Sequence, residues 1–259
     1  MRKKSIPLGD YMAVSFRPCA LIPVYNHKNY LAEILDYLVA LNLPVFLIND
    51  GSDENTTSEI QRLAQRPTVT LIPRVRNGGK GEAVKDGLWK AYQEGYTHAL
   101  QVDADGQHQL EDIPAMLREA QRSSVALVLG EPAYGQDAPL GRLLGRQISR
   151  FWVWLETLST AIRDPLIGFR VYPLTLCASL ISQGTLGSRM EFDVQILVRL
   201  YWAGALVSNV PTTIRYPKGG LSHFRMFWDN VRISRAHAGL FFGMLPRLPR
   251  LLFYQGRLR

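Results

Sequence analysis

Cysteine is nearly missing from this chain: Cys19 and Cys177 are the two in 259 residues, and both sit among apolar or small neighbours. They offer neither a disulfide framework nor the paired spacing of a zinc site, so a reducing, cytosolic setting is expected. Histidine is scarce as well. His98, His108, His223 and His237 show no metal-ligand spacing, and satisfied or exposed side chains are expected for all four. Long apolar runs are absent, because charges interrupt every window of about 20 residues, the length needed to span a bilayer. The N-terminal Met1-Arg2-Lys3-Lys4 has the charge of an export signal, yet Pro7, Asp10 and Arg17 break the apolar stretch that should follow it. A soluble or peripheral protein is expected. Acidic residues run out toward the C-terminus: residues 218–259 hold eight Lys and Arg against the single acid Asp229, nearly all of the net charge of +8. A block of that kind meets an anionic membrane surface or nucleic acid, or forms a solvated arm.

What is present is an ordinary globular composition, 47% hydrophobic and 20% charged, long enough for one large α/β domain or two small ones. Apolar runs at 17–24, 43–48, 68–72 and 97–102 read as buried strands. Leu31, Ile34, Leu35 and Leu38 give residues 30–41 a helical spacing, and 81–94 and 110–120 read as helices too. Residues 130–145, rich in Gly and Pro, read as a loop. A helix with a greasy face is expected over 148–162, a loop and short strand through Tyr172, a helix over 191–202 and a last strand over 205–210. The alternation predicts a mostly parallel sheet flanked by helices, with ligands gathered at the carboxyl ends of the strands.

The polar clusters fall at those ends. The run 96–102 stops on Asp103-Ala104-Asp105-Gly106-Gln107-His108, where alternate residues of an extended segment share a side, so Asp103 and Asp105 can aim at one point. Hard cations such as Mg²⁺ or Mn²⁺ take oxygen ligands and bridge to substrate phosphates, so two carboxylates are about enough. Asp and Gly also cluster in simple turns, but turns alone do not explain why Tyr25-Asn26, Asp50-Gly51-Ser52 and residues 77–81 gather on the same edge. Asp50 is placed to accept a hydrogen bond from a nucleobase ring N–H, or to cap a helix in competition with Ser52. Pro23 and Tyr25 could pack on the base plane. Gly79, Lys80 and Gly81 open a helix, where backbone can approach an anion or simply turn tightly; the segment is neither a P-loop nor a dinucleotide fingerprint.

Taken together, Ile22-Pro23-Val24-Tyr25-Asn26, Asn49-Asp50-Gly51-Ser52, residues 77–83, Asp103-Ala104-Asp105 with Gln107-His108, and Asp164 with Gly168-Phe169-Arg170 resemble glycosyltransferase family 2, the inverting enzymes of the GT-A fold. The Asp-Ala-Asp-x-Gln-His form is similar to the dolichyl-phosphate mannosyltransferase-like branch, which moves sugar from a nucleotide donor to a membrane polyprenyl phosphate. The resemblance implies a GT-A domain over 1–217, with a nucleotide-sugar and metal half at 17–125 and an acceptor half at 126–217, followed by a basic extension at 218–259. It implies a UDP- or GDP-sugar site at Pro23, Tyr25, Asn26, Asp50, Gly79, Lys80, Gly81, Asp103, Ala104 and Asp105. A Mg²⁺ or Mn²⁺ ion on Asp103, Asp105 and Gln107 would assist the leaving diphosphate.

The acceptor end is less defined. Glu191 and Asp193 are the candidates for a general base toward a hydroxyl acceptor, or one of them caps the following helix. A phosphate acceptor needs no base, and Arg142, Arg146 and Arg150, at a spacing of four with Ser149 nearby, could bind it or form a solvated stripe. Arg170 could pair with Asp164 to brace that side. Residues 222–245 set Phe224, Phe227, Trp228, Val231, Ala238, Phe241, Phe242 and Leu245 at helical spacing, which suits an anionic membrane interface or packing on the domain or a second subunit. Peripheral attachment to the cytoplasmic face is the corresponding expectation. Nucleic-acid binding would explain the tail but not the three carboxylates Asp50, Asp103 and Asp105 at strand ends, and is not expected. Nucleotidyltransferases usually carry a Gly-rich loop where this chain has Pro23-Val24-Tyr25-Asn26.

Overall fold

Apolar runs that alternate between two faces need a layer of helices on each. The computed structural model describes residues 15–133, 140–215 and 225–255. Its elements are β1 (Pro18–Val24), α1 (Leu31–Ala40), β2 (Val45–Asn49), α2 (Glu54–Leu63), β3 (Val69–Pro73), α3 (Lys80–Gln93), β4 (His98–Gln101), α4 (Ile113–Ala120), β5 (Ala126–Ala133), α5 (Leu140–Thr157), β6 (Arg170–Pro173), α6 (Leu174–Ser182), α7 (Glu191–Trp202), β7 (Leu206–Thr213), α8 (Met226–Met244) and α9 (Leu248–Gln255). In β1, Cys19 and Leu21 join one core cluster, while Ala20, Ile22 and Val24 join the other, the two-residue period of a strand. Helices α3, α6 and α7 cover the first face and α1, α2 and α4 the second. Each fully buried Leu or Ile contributes roughly 1.5–3 kcal/mol, so the two cores hold the sheet in place.

The strands form one sheet in the order β3-β2-β1-β4-β6-β5-β7. All neighbours are parallel except β6, which runs antiparallel to β4 and β5. The chain moves outward from β1 through β2 to β3, then returns to place β4 on the other flank of β1. A reversal of that kind opens a crevice beyond the carboxyl ends of β1 and β4, the usual ligand position in such sheets. The halves expected at 17–125 and 126–217 share this sheet, since β4 pairs directly with β6.

Several expected boundaries move. The loop expected over 130–145 is narrower, because β5 runs to Ala133 and α5 begins at Leu140. Helix α5 stops at Thr157 instead of continuing to 162, where Leu158 adopts a left-handed φ of 49°. Helices α2 and α6 and strand β5 are additions to the expected set. The tail helix is present as α8, and its Ala236, Leu240 and Met244, with Leu251 of α9, belong to the same core as Leu21 and Leu127. The described part of the extension is thus docked on α5 and α7 rather than free. Among the described residues, no helix is long and apolar enough to cross a membrane.

Candidate active site

β4 ends at Gln101, and Val102 still donates its N–H to Leu21 O at 3.0 Å, which holds the following loop against β1. In that loop Gln107 N donates to Asp105 Oδ1 at 3.1 Å, a turn closed by the aspartate's own side chain. Gly106 takes φ 72° with its α-carbon against the Tyr30 ring, so a side chain there would be strained and would overlap the ring. From behind, Arg215 N donates to Gln107 O at 2.9 Å and Ile214 bridges His108. Asp105 is left half-buried at the rim, with no ion pair among the described residues.

Asp103 is bound on both oxygens. Oδ1 accepts from Gln101 Nε2 at 2.8 Å and Oδ2 from Lys80 Nζ at 3.0 Å. Lys80 also reaches Asp193 at 3.4 Å, and Asp193 forms an ion pair with Arg170 at 3.0 Å. Arg170 donates to Tyr172 Oη at 3.1 Å, and Tyr172 donates to Gln101 Oε1 at 3.1 Å. These contacts close a ring across β4, β6, α3 and α7. Burial alone would raise the Asp103 carboxyl, but the Lys80 ammonium, the nearby His108 ring and the Gln101 amide donor outweigh it and hold the group far below the usual carboxylate range. Burial likewise opposes the charge on Lys80, and Asp103 with Asp193 overcomes it, so the ammonium is held more firmly than usual. Desolvation beside these charges pushes Tyr172 up to about 12. Gly168 completes the fit, since a Cβ there would overlap the Asp103 carboxylate.

The loop after β2 is organised around Asp50. Gly78 N and Gly79 N each donate to its carboxylate at 2.9 Å, Asn77 Nδ2 at 3.0 Å, and Arg74 pairs with it at 3.0 Å. The anion seated at the Gly-rich turn is therefore the protein's own carboxylate. Burial raises the Asp50 pKa against these N–H groups and Arg74. The cap of α2 is Asp53, which accepts from Thr56 N at 2.7 Å; neither Asp50 nor Ser52 fills that place. Asn26, at φ 54°, accepts from Asp53 N and donates its own N–H to Ser52 Oγ, tying the turn after β1 to the turn after β2. Pro23 and Tyr25, both half-buried, lie in and just after β1 beside Asp50 N, which donates to Val24 O. Gly81 abuts Phe192 and Gly187, and Glu82 N donates to Ser188 O, so the start of α3 is clasped by the loop before α7.

Around β6 and α5 the expected pairing of Asp164 with Arg170 is exchanged. Asp164 takes Arg146 at 2.6 Å, while Arg170, fully buried, goes to Asp193 and donates to Pro165 O at 2.8 Å. Arg170 is closed off from solvent. Ser149 is buried, and the Arg150 guanidinium lies over the Trp154 ring at 4.9 Å. The Arg142 side chain and residues 220–223 lie outside the described residues. Glu191 Oε1 accepts from Ser188 N at 3.1 Å and Arg189 N at 3.2 Å, capping the loop into α7. Gln101 and Tyr172 were not singled out for the site, and His108 and Gly168 were named within motifs without a role there; a glutamine inside the apolar run of β4 is the signal that could have found the ring. His108, expected satisfied or exposed, is buried with neither ring nitrogen hydrogen-bonded among the described residues, 3.8 Å from Asp103 Oδ2. His98 and His237 are buried as well, the latter against Glu156 at 2.9 Å.

Among the described residues no three His, Cys, Asp or Glu side chains cluster as a closed metal site. An open site fits better: Asp105 offers a half-buried carboxylate, whereas both Asp103 oxygens are already engaged, and a hard cation can draw its remaining oxygens from phosphate and water. With a carboxylate pair at a sheet switch point established, the sequence match is decisive: residues 19–184 match glycosyl transferase family 2. The chain belongs to that family. As a family 2 member it is a glycosyltransferase. It is 27% identical over 207 residues to an undecaprenyl-phosphate mannosyltransferase of Micrococcus luteus, covering 76% of this chain and 83% of the relative. To a polyprenol monophosphomannose synthase of Mycolicibacterium smegmatis it is 24% identical over 233 residues, 83% of each. Glucosyl-3-phosphoglycerate synthase from Mycobacterium tuberculosis, solved with UDP, superposes with a TM-score of 0.63 at 14% identity, covering 94% of this chain and 86% of that one. The same enzyme solved with Mn²⁺, UDP and phosphoglyceric acid gives 0.62 at 14% identity, covering 89% and 78%. The fold of this family 2 enzyme is GT-A.

Proposed function

We propose that this family 2 enzyme is an inverting transferase that moves a hexose from a UDP- or GDP-linked donor to a polyprenyl phosphate at a membrane surface. The observation that carries the acceptor reading is the engagement of both base candidates, Glu191 through Oε1 with two backbone N–H groups and Asp193 with Arg170 and Lys80. A hydroxyl acceptor needs a base to take its proton, whereas an ionised phosphate attacks without one. Its oxygen forms a bond to the anomeric carbon as the bond to the diphosphate breaks on the opposite face, and the nucleoside diphosphate leaves with the electron pair. A divalent cation, bound mainly by Asp105 with Asp103 and Gln107 nearby, would neutralise that leaving charge. The relatives named for polyprenyl-phosphate transfer and the neighbour solved with UDP and Mn²⁺ support the same reading.

Donor placement is assigned to the crevice beyond β1 and β4. Pro23 and Tyr25 border the base position, Asp50 and its Gly78–Gly79 turn form the floor, and Ala104 keeps backbone close to the sugar phosphate. On the acceptor side Arg146, held by Asp164, and Arg150, with Ser149 behind them, form the basic wall on α5. Met226, Phe227 and Trp228 project from the start of α8, and Phe242 of α8 and Phe253 of α9 are exposed as well, a surface suited to a peripheral stay on the cytoplasmic leaflet. Incubation with UDP- and GDP-hexoses, Mn²⁺ and a polyprenyl phosphate should release nucleoside diphosphate and give a lipid product one hexose heavier. Release of pyrophosphate would indicate nucleotidyl transfer instead, and no release with either donor class would remove the reading.

A further inference from the structure

Asp103 and Asp193 meet Lys80 and Arg170 in the ring, two acids against two cations, and Asp105 stands just outside it without an ion pair among the described residues. The strand end that should take a divalent cation already holds an ammonium, 3.0 Å from Asp103 Oδ2. That ammonium is held from two sides. Lys80 is the first residue of α3, its side chain is 18% exposed, and its Nζ is held between two carboxylates. One uncompensated carboxylate is a poor site for a bare hard cation, which takes about six oxygens. A nucleoside diphosphate brings the missing oxygens and is itself drawn by the ammonium.

We infer that Lys80 is a resident counter-ion that makes the divalent cation and the nucleoside diphosphate bind as a pair. It opposes the cation alone by repulsion and favours the diphosphate by attraction. Lys80 also positions Asp103 by fixing the direction of its Oδ2. The inference rests on the cation-assisted donor reading above and adds an order to it: the cation enters with the nucleotide, not ahead of it.

The test follows free Mn²⁺ by its electron paramagnetic resonance signal, with wild type alone and with UDP or GDP, corrected for Mn²⁺ held by nucleotide in solution. Wild type should hold Mn²⁺ about tenfold or more tightly once UDP or GDP is present, the scale expected from one nearby charge. Lys80→Met should bind Mn²⁺ alone roughly tenfold more tightly than wild type and bind UDP or GDP alone roughly tenfold more weakly. Lys80→Arg should keep the wild-type pattern. A merely structural lysine predicts both affinities falling together, or neither changing, and either result overturns the inference. Equal Mn²⁺ affinity in wild type with and without nucleotide overturns it without any variant, so a poorly folded Lys80→Met does not rescue it. If Mn²⁺ does not bind even with nucleotide, the cation-assisted reading falls and the inference with it.

Discussion

Asp103 and Asp105 are two residues apart and do different work. Asp105 is half-buried and bonded to its own turn, so Asp105→Ala should abolish Mn²⁺-dependent UDP or GDP binding by calorimetry while melting temperature changes little; undiminished binding would contradict the assignment. Asp193 is 4% exposed and shared by two cations, so Asp193→Ala leaves buried charges without their partner. That loss should cost roughly 3–5 kcal/mol in denaturant unfolding, against the 0–1 kcal/mol of a surface pair. The Asp103 carboxyl, lowered on folding from 3.8, contributes stability that is present above that value and lost as pH falls through its folded value. Acid unfolding of Asp103→Asn should accordingly lose part of the steep decline below about pH 4. The carboxylate pair was legible in the sequence because it ends an apolar run. Lys80, Arg170 and Asp193 were named as well, each for another role, but their pairing around Asp103 was not legible, since they come from elements far apart in the sequence.

At the scale of elements, local pattern served strongly apolar segments and failed polar or short ones. Helix α2 is Glu-Asn-Thr-Thr-Ser-Glu-Ile-Gln-Arg-Leu, which buries only Thr56, Ile60 and Leu63; its clearest signal is the Asp53 cap. Strand β5 continues through Pro132, where pattern alone argues for a loop; there β7 is its recorded partner, while β6 pairs only at Val128 and Leu129. For α7, the capping geometry of Glu191 predicts that Glu191→Gln retains activity within about tenfold, whereas removal of a general base costs about 10²–10⁴-fold. A kcat loss in the larger range would restore the hydroxyl-acceptor reading. In β4, burial lowers His98 from 6.5 to about 4, so it stays neutral in the fold while the unfolded chain binds a proton. Stability should therefore decline as pH drops from 6.5 toward 4, and His98→Gln should flatten that slope in pH-dependent unfolding.

Across the whole molecule, α8 combines a packed face and an exposed aromatic one. One face packs into the domain through Ala236, Leu240 and Met244, and another leaves Phe227 and Trp228 more than half exposed. Deleting residues 222–259 removes part of the core, and each lost buried Leu alone is worth about 2–5 kcal/mol, so such a truncation should unfold rather than simply detach. Phe227→Ser with Trp228→Ser leaves that core intact; co-sedimentation with anionic vesicles should fall while the melting temperature holds, and unchanged co-sedimentation would sink the membrane role. The central claim, transfer of a hexose to an ionised lipid phosphate without a base, is tested most directly by one acceptor comparison. With the active donor and Mn²⁺ fixed, product from a polyprenyl phosphate is measured against product from the matching polyprenol. Transfer to the phosphate with none to the alcohol is the expected result, and equal or preferred transfer to the alcohol would contradict the account.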